Sequence, residues 1–381
     1  MSDVLRVLHV LGSMNTGGQE TFIMNIYRNI DRSKVQFDFL INVKEKCDYE
    51  DEIISMGGAV HRVPRRFPNY FQHLRHANDF FKTNKQYKIV HQHTNSLTAI
   101  STAICSKKAG ISKVIYHCHS SKSDKGVIGR LFNFYYKPQI EKYITHYFAC
   151  SEMAAKNLFG THIGENEIKI IPNAIEIDKF VYEDKRREQK RKQLEVENKF
   201  VVGHVGRFAE AKNHAFLIEI FEQIYSQNKN AILLLVGDGE LRDSIEEKVD
   251  AKGLSDNVIF AGLRTDVSEF LCAMDVFVFP SLWEGLGIAL VEAQANGLRC
   301  IVSDTTPKET KITNLVEYIS LQETPKLWAA KAIGCANGYE RIDMQEAVRQ
   351  AGYDIKEVSM QLQNFYLENQ FKKLMKQQSK F

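Results

Sequence analysis

Short runs of β-branched and aromatic residues alternate along the chain with longer stretches in which apolar positions recur every three or four residues. In the first half, Leu5 to Leu11, Val35 to Asn42, Ala59 to Val63, Ile89 to His93, Val114 to His119, Tyr147 to Cys150 and Ile168 to Ile171 read as strands. Phe200 to Val205, Ala231 to Val236, Val258 to Phe260 and Val276 to Phe279 continue the series. The Ala231 and Val276 runs are apolar throughout, the pattern of strands covered on both faces. Helical spacing places Phe22, Ile23, Ile26 and Ile30 on one face of a helix over Glu20 to Ile30. It returns in Pro325 to Asn337 and in residues 355 to 376, where Val358, Leu362, Phe365, Tyr366 and Leu374 recur, whereas Thr306 to Thr324 has no clear period. Such an alternation predicts an α/β protein with parallel sheets and helices on both faces. In such sheets ligands sit beyond the carboxyl ends of the strands, so the loops that follow strands are where chemistry belongs.

Residues 275 to 304 are the stretch around which the rest is organised. Pro280 closes the strand, Gly285 and Gly287 follow, and Ile288, Leu290, Val291 and Ala295 recur at helical spacing up to Asn296-Gly297. Strand, glycine turn and helix in that order bare unpaired N–H groups at a positive helix end, where a phosphate or diphosphate can be held. Glu284 stands in the turn and Glu292 in the helix. A carboxylate repels phosphate but accepts hydrogen bonds from sugar hydroxyls, so the combination suggests a ligand carrying both groups, a nucleotide-sugar. Arg207 and Lys212 directly follow the strand that begins at Phe200, where a forked and a point cation could neutralise a diphosphate.

The strand from Leu5 runs into Gly17 and Gly18, which let backbone approach a ligand closely. This turn lacks the lysine of a Walker loop, and neither it nor Gly237-Asp238-Gly239 has the spacing of a dinucleotide site. His119 stands past the strand from Val114, ahead of Ser120-Ser121, where a side chain reaches the ligand end of the sheet. The pairs His91/His93 and His117/His119 each point one way from a single strand, leaving little room for a shared ion, and no acidic or cysteine partner is near in sequence. No metal site is expected.

Glu284 and Glu292 with the glycines between them resemble the Glu-x7-Glu motif of the retaining glycosyltransferases of family 4, two-domain enzymes of the GT-B type. Gly17, Gly18 and Glu20 match the family's Gly-Gly-x-Glu turn, Ile171 to Ile175 resembles its Pro-Asn junction, and Arg207 with Lys212-Asn213 resembles its Gly-Arg…Lys-Asn motif. Ala289 and Arg299 stand where the family often has proline. The likeness runs from Gly12 to Asp304 and implies two Rossmann-like doubly wound domains facing across a cleft. Residues 1–182 would bind the acceptor, 183–355 the nucleotide-sugar, and 356–381 would form a helix crossing back to the first domain.

By the same resemblance, Glu284 touches the donor sugar, Glu292 the ribose, and the amides of Gly285, Leu286, Gly287 and Ile288 the diphosphate. Arg207 and Lys212 meet the leaving group, the loop of Arg264 lies by the nucleobase, and Gly17 and Gly18 also approach the donor. Gly17, Glu20 and His119 line the acceptor side, with His119, Arg207, Lys212 and Glu284 as the catalytic set. Cations and amides do the work that a metal does in Asp-x-Asp enzymes, so no cofactor is expected and the nucleotide-sugar is a substrate. The implied reaction moves a hexose, with retention, from a nucleotide diphosphate sugar, UDP favoured, to a hydroxyl of a lipid-linked or other saccharide in cell-surface or exopolysaccharide assembly. A nucleotide-sugar epimerase and a non-catalytic nucleotide-sugar-binding protein remain open on the same scaffold.

Composition narrows the setting. A chain of 381 residues is long enough for two domains, with 44% apolar and 25% charged residues as in globular proteins. No apolar run approaches the ~20 residues of a membrane span and no leader precedes Leu5, which predicts a cytoplasmic protein. Seven cysteines without a Cys-x-x-Cys pair read as reduced and mostly buried. The net charge of +3 conceals a basic stretch: residues 61 to 150 hold 15 Lys/Arg against 3 Asp/Glu. Within residues 62–88 basic and aromatic residues interleave, and Phe71, Leu74, Asn78 and Phe81 share a helical stripe. A peripheral contact with anionic membrane at the inner face of the cell membrane fits, and 125 to 147 repeats the theme. Single-stranded nucleic acid suits the same pattern but is not expected, and an ordinary helix with its Phe residues in the core explains it as well.

Overall fold

The computed structural model describes residues 4–120, 126–160, 163–164 and 167–378, with side chains of the last helix described as far as residue 368. Ser121, residue 125 and the side chain of Leu374 lie outside the described residues. The chain divides into two compact units, Met1–Ala174 with Ile355–Phe381, and Ile175–Asp354.

The first unit is a parallel sheet of β1 (Leu5–Val10), β2 (Val35–Ile41), β3 (Val60–Arg62), β4 (Ile89–His93), β5 (Lys113–Cys118), β6 (His146–Ala149) and β7 (Ile168–Ile170) in the order β3-β2-β1-β4-β5-β6-β7. Its helices are α1 (Gly18–Asn29), α2 (Glu50–Ser55), α3 (Tyr70–Thr83), α4 (Ile100–Lys108), α5 (Val127–Tyr136) and α6 (Glu152–Phe159), with the last helix of the chain, Ile355–Gln378, returning to the same unit. Phe22, Ile23, Ile26 and Tyr27 of α1 and Leu362 and Tyr366 of the last helix bury the face of β1 and β2 that carries Val7, Phe37 and Phe39. Strand order reverses between β1 and β4, which leaves a crevice position beyond their carboxyl ends.

The second unit repeats the plan with β8 (Phe200–Val205), β9 (Ala231–Val236), β10 (Val258–Gly262), β11 (Val276–Phe279), β12 (Cys300–Ser303) and β13 (Val316–Ile319), all parallel, in the order β10-β9-β8-β11-β12-β13. Around it stand α7 (Asp184–Gln193), α8 (His214–Gln227), α9 (Arg242–Ala251), α10 (Val267–Ala273), α11 (Ile288–Ala295), α12 (Pro325–Ile333) and α13 (Gln345–Gln350); the returning helix is α14. Two apolar layers, one holding Leu217, Phe221 and Trp328 and the other Leu271, Leu290 and Leu298, sandwich the sheet. Here the reversal falls between β8 and β11.

Several expectations change. The unit boundary lies at residue 174/175 rather than 182, because Phe180 O accepts from Asn296 Nδ2 at 3.0 Å and Arg341 stacks over the Tyr182 ring. The helix α7, whose ten residues are all charged or polar, nonetheless buries Lys190 and Arg191, with Arg187 and Arg191 both bonded to Asp275. β13 falls inside the stretch without readable period and β12 just before it. On α3 the buried face is His73, Ala77 and Phe81, so Phe71, expected on the same stripe as Phe81, stands 83% exposed. All seven cysteines are buried thiols outside any disulfide.

Candidate functional site

In the second unit the site grows from the loops after β8 and β11. A single helical turn, Glu210–Lys212, ends at Asn213, whose left-handed backbone (φ 55°) starts α8. Asparagine tolerates that conformation better than most residues. Leu282 N donates to Ala211 O at 2.8 Å and Asn213 Nδ2 to Pro280 O at 3.1 Å, which pins this turn against the segment following β11. Lys212 Nζ reaches Glu284 Oε1 at 2.7 Å and lies 4.7 Å from the centre of the Phe279 ring. The lysine and glutamate side chains are 18% and 9% exposed, so the pair is largely shielded from water. Gly287, with φ 85°, turns the chain into α11, and Glu292 lies in the second turn of that helix.

The carboxyl of Glu292 makes no hydrogen bond or ion pair among the described residues and is pushed up to about 8 by burial, with Lys212 pulling partly the other way. A desolvated acceptor beside a cation suits hydroxyl groups brought by a ligand. Arg207 is 73% exposed and turns to Glu240 at 3.1 Å, and Arg264 pairs with Asp266 at 2.8 Å. The structure thus joins Lys212 to Glu284, with Glu292 under the same cation, and places Arg207 and Arg264 in ion pairs of their own. Gly237 matters for packing: a Cβ there would stand 2.1 Å from Gly206 O, so the turn after β9 can lie this close to the Arg207 loop only as glycine.

In the first unit Gly17 and Gly18 open α1, and Glu20 sits in its first turn with a carboxyl raised by burial. A Cβ on Gly17 would press to 2.5 Å from Glu20 Oε2. Phe22, two residues on, packs with its ring centre 5.6 Å from that of His119, just past β5. His119 Nδ1 donates to Asn173 Oδ1 at 3.1 Å, so its Nε2 accepts from His93 Nδ1 at 2.9 Å, and His93 Nε2 in turn accepts from His9 Nδ1 at 2.9 Å. A second chain joins Tyr366, His91 and His117.

Single-strand spacing could not show this ladder, because its members come from β1, β4 and β5, where His9 is in register with His91 and His93 with His117. His9/His91/His93 and His93/His117/His119 each bring ring nitrogens within 4.8 Å of one another, and these are the described residues that could hold a metal. Burial pushes His9 down to about 3 and His119 to about 4, and holds the other three well below the usual imidazole range. Both nitrogens of His119 are engaged, which suits a fixed hydrogen-bonding surface better than a free base.

Two parallel Rossmann-like units with a glycine turn, a shielded Lys–Glu pair and a waiting carboxyl at the switch point of the second define the class. The description "Glycosyltransferase Family 4" matches residues 16–179 and "Glycosyl transferases group 1" residues 185–333. The protein named as glycosyltransferase EpsF of Bacillus subtilis (strain 168) is 36% identical over 370 residues, covering 95% of this chain and 96% of that one. The UDP-Gal:alpha-D-GlcNAc-diphosphoundecaprenol alpha-1,3-galactosyltransferase of Escherichia coli is 29% identical over 240 residues, 60% of this chain and 61% of that one. Among solved structures, Anabaena Alr3699/HepE in complex with UDP shares the fold with a TM-score of 0.77 at 19% identity, over 94% of this chain and 98% of that one. The architecture is GT-B, that of a glycosyltransferase. The chain belongs to glycosyltransferase family 4.

Opposite pH limbs follow from these sites. The buried histidines have folded values far below the ~6.5 of an unfolded chain, so stability is complete above that pH and is lost as pH falls toward about 4. Glu292 has a raised folded value, so its contribution is present below the unfolded value near 4.5 and is lost as pH rises to about 8. Glu292→Gln is expected to stabilise the protein relative to the parent at about pH 8.5, by on the order of 1 kcal/mol and hence with a raised Tm, and to leave stability unchanged near pH 5. Thermal melts across pH check this, and an equal difference at both pH values would contradict it.

Proposed function

We propose that the protein transfers a hexose, with retention, from a UDP-sugar to a hydroxyl of a lipid-linked saccharide in cell-surface polysaccharide assembly. The observation that carries this reading is the Lys212–Glu284 pair at 2.7 Å beside the unbonded, desolvated Glu292. A nucleotide-sugar carries groups complementary to these side chains and amides. Its ribose hydroxyls donate to Glu292, its sugar hydroxyls donate to Glu284, and its diphosphate takes up Lys212 and the amides of Gly285, Leu286, Gly287 and Ile288. Arg207, exposed and paired to Glu240, reaches the phosphates by giving up that weak surface pair. Arg264 offers the nucleobase side a cation on a loop.

Bond cleavage gives an oxocarbenium-like sugar and a diphosphate, and positive groups fixed in a shielded site lower the barrier, each worth about 10²–10³ in rate. The acceptor hydroxyl attacks from the leaving-group side and the departing phosphate takes its proton. Gly17, Gly18, Glu20 and His119 shape the acceptor side, with His119 as a neutral, fixed contact. UDP is favoured because HepE is described with UDP, and a lipid-linked acceptor because the E. coli relative acts on a diphosphoundecaprenol.

Glu284→Gln keeps the shape and removes the charge that holds Lys212, and is expected to lower turnover on the order of 10²-fold or more while the fold stays intact by circular dichroism. Parent-like turnover in a radiolabelled sugar-transfer assay would sink the assignment of Glu284. The chemistry is proposed to run without a divalent ion: a cation among the ladder histidines would bring charge into a site without a carboxylate ligand. Activity is therefore expected to be the same in EDTA as in Mn²⁺. Loss in chelator restored by Mn²⁺ would reverse this.

A peripheral membrane contact through residues 62–88 is part of the proposal. Phe71 and Arg75 of α3 are exposed, and α5 presents Val127, Ile128, Leu131, Phe134 and Tyr135 at 50–84% exposure on one face. Among the described residues no helix is long and apolar enough to cross a membrane, so such a face would lie on the surface of a bilayer. Phe134→Ser with Leu131→Ser is expected to cut sedimentation with phosphatidylglycerol vesicles severalfold, and equal sedimentation with phosphatidylcholine vesicles would contradict the electrostatic part.

A further inference from the structure

We infer that the first unit carries a separate anion site at Arg66 and Tyr116, shaped for the phosphoryl or diphosphate group of the acceptor; the word acceptor rests on the transferase reading, the anion site does not. Arg66 lies in the segment between β3 and α3, at the carboxyl end of the sheet. It is partly buried, and among the described residues it makes no hydrogen bond and no ion pair. The other withdrawn arginines of the chain are saturated: Arg191 bonds Asp275 and the Ala273 carbonyl, and Arg341 bonds Asn296 and the Leu271 carbonyl. Burial lowers the proton affinity of Arg66, and among the described residues the titratable groups that act on it are the phenols of Tyr116 and Tyr70. A guanidinium taken from water without a counter-charge costs folding energy, and that cost is recovered when an anion arrives.

A second observation points to the same place. Tyr116 is fully buried, yet its hydroxyl has no partner. Its register neighbour across the parallel pair is Gln92, 1% exposed, whose Oε1 also has no partner. Register neighbours on adjacent strands share a face, so an unused donor and an unused acceptor stand side by side. A neutral bridge between them would leave the Arg66 charge uncompensated. A phosphate monoester or diphosphate attached to a sugar answers all three: its oxygens accept from the guanidinium fork and the phenol, and a sugar hydroxyl donates to Gln92.

The wall of the site is aromatic. Phe67 and Tyr70 lie with ring centres 6.1 Å apart, and Phe132 of α5 meets them at 6.2 and 5.8 Å. His73 holds the segment in place by donating from Nδ1 to Pro64 O at 2.8 Å. The same helix that turns Phe132 inward carries the exposed apolar face described above, which gives a hydrocarbon tail on the diphosphate a surface beside the charge.

Calorimetric titration of the full chain with geranyl diphosphate, inorganic pyrophosphate, geraniol and UDP tests the site. Arg66→Met is expected to weaken geranyl diphosphate on the order of tenfold or more and to leave UDP unchanged, while Lys212→Met does the reverse. Arg66→Met loses no bond, so its Tm should equal or exceed the parent's, and Tyr116→Phe should weaken geranyl diphosphate severalfold at an unchanged Tm. Tighter binding of geranyl diphosphate than pyrophosphate supports a lipid-linked source, and equal binding supports a free diphosphate. Undiminished geranyl diphosphate binding in Arg66→Met, a fall in its Tm, or geraniol binding as tightly as its diphosphate would overturn the site. If only the Lys212→Met result fails, the donor reading falls and the Arg66 site stands.

Discussion

The contact between Lys212 and Glu284 is the constraint on which the second unit's site depends. It closes a loop that β8 sends out and a loop that β11 sends out, and backbone bonds from Leu282 to Ala211 and from Asn213 to Pro280 make the two loops one piece. An ion pair shielded this far from water contributes little net stability, since desolvation offsets most of the attraction. What it provides is position. It holds one cation and the Glu284 carboxyl together at the strand end, while burial drives Glu292, a turn and a half along α11, toward its protonated form. Two carboxyl groups of the same type are thereby set to different tasks by their surroundings.

The first unit solves a different problem with the same sheet plan. Its switch point is filled by imidazoles that bond to one another rather than to solvent, and the polarity of the chain is fixed at its end by Asn173. Such a ladder is rigid and neutral, and it brings polar groups into a core without bringing charge. The ladder leaves His9 Nε2 and His117 Nε2 without a partner, and on the opposite face of β4 and β5 the Oε1 of Gln92 and the hydroxyl of Tyr116 also have none, while Arg66 makes no ion pair among the described residues.

Much of this was readable from residue order. Strand–helix alternation led to the parallel α/β plan, and the glycines and the spacing of Glu284 and Glu292 to the turn that opens α11, because these features are local and have fixed periods. What stayed hidden depends on register. The pairing of His9 with His91, and of Gln92 with Tyr116, exists only once strands are aligned, and neither strand advertises its neighbour. Phe71 and Phe81 were read on one stripe; the core took His73 and Ala77 beside Phe81 instead, and His73 satisfies both ring nitrogens with Pro64 O and Ser101 Oγ. α7 reads as solvent-facing from its charge alone, yet Asp275 and Asp266 draw its cations inward. β13 lies inside the stretch without a readable period and β12 just before it, and neither was read as a strand.

The most direct measurement is a crystal structure of the protein soaked with UDP. The nucleotide is expected with its ribose hydroxyls bonded to Glu292 and its diphosphate against Lys212 and the amides that open α11. Nucleotide bound away from both Lys212 and Glu292 would contradict the account at its centre.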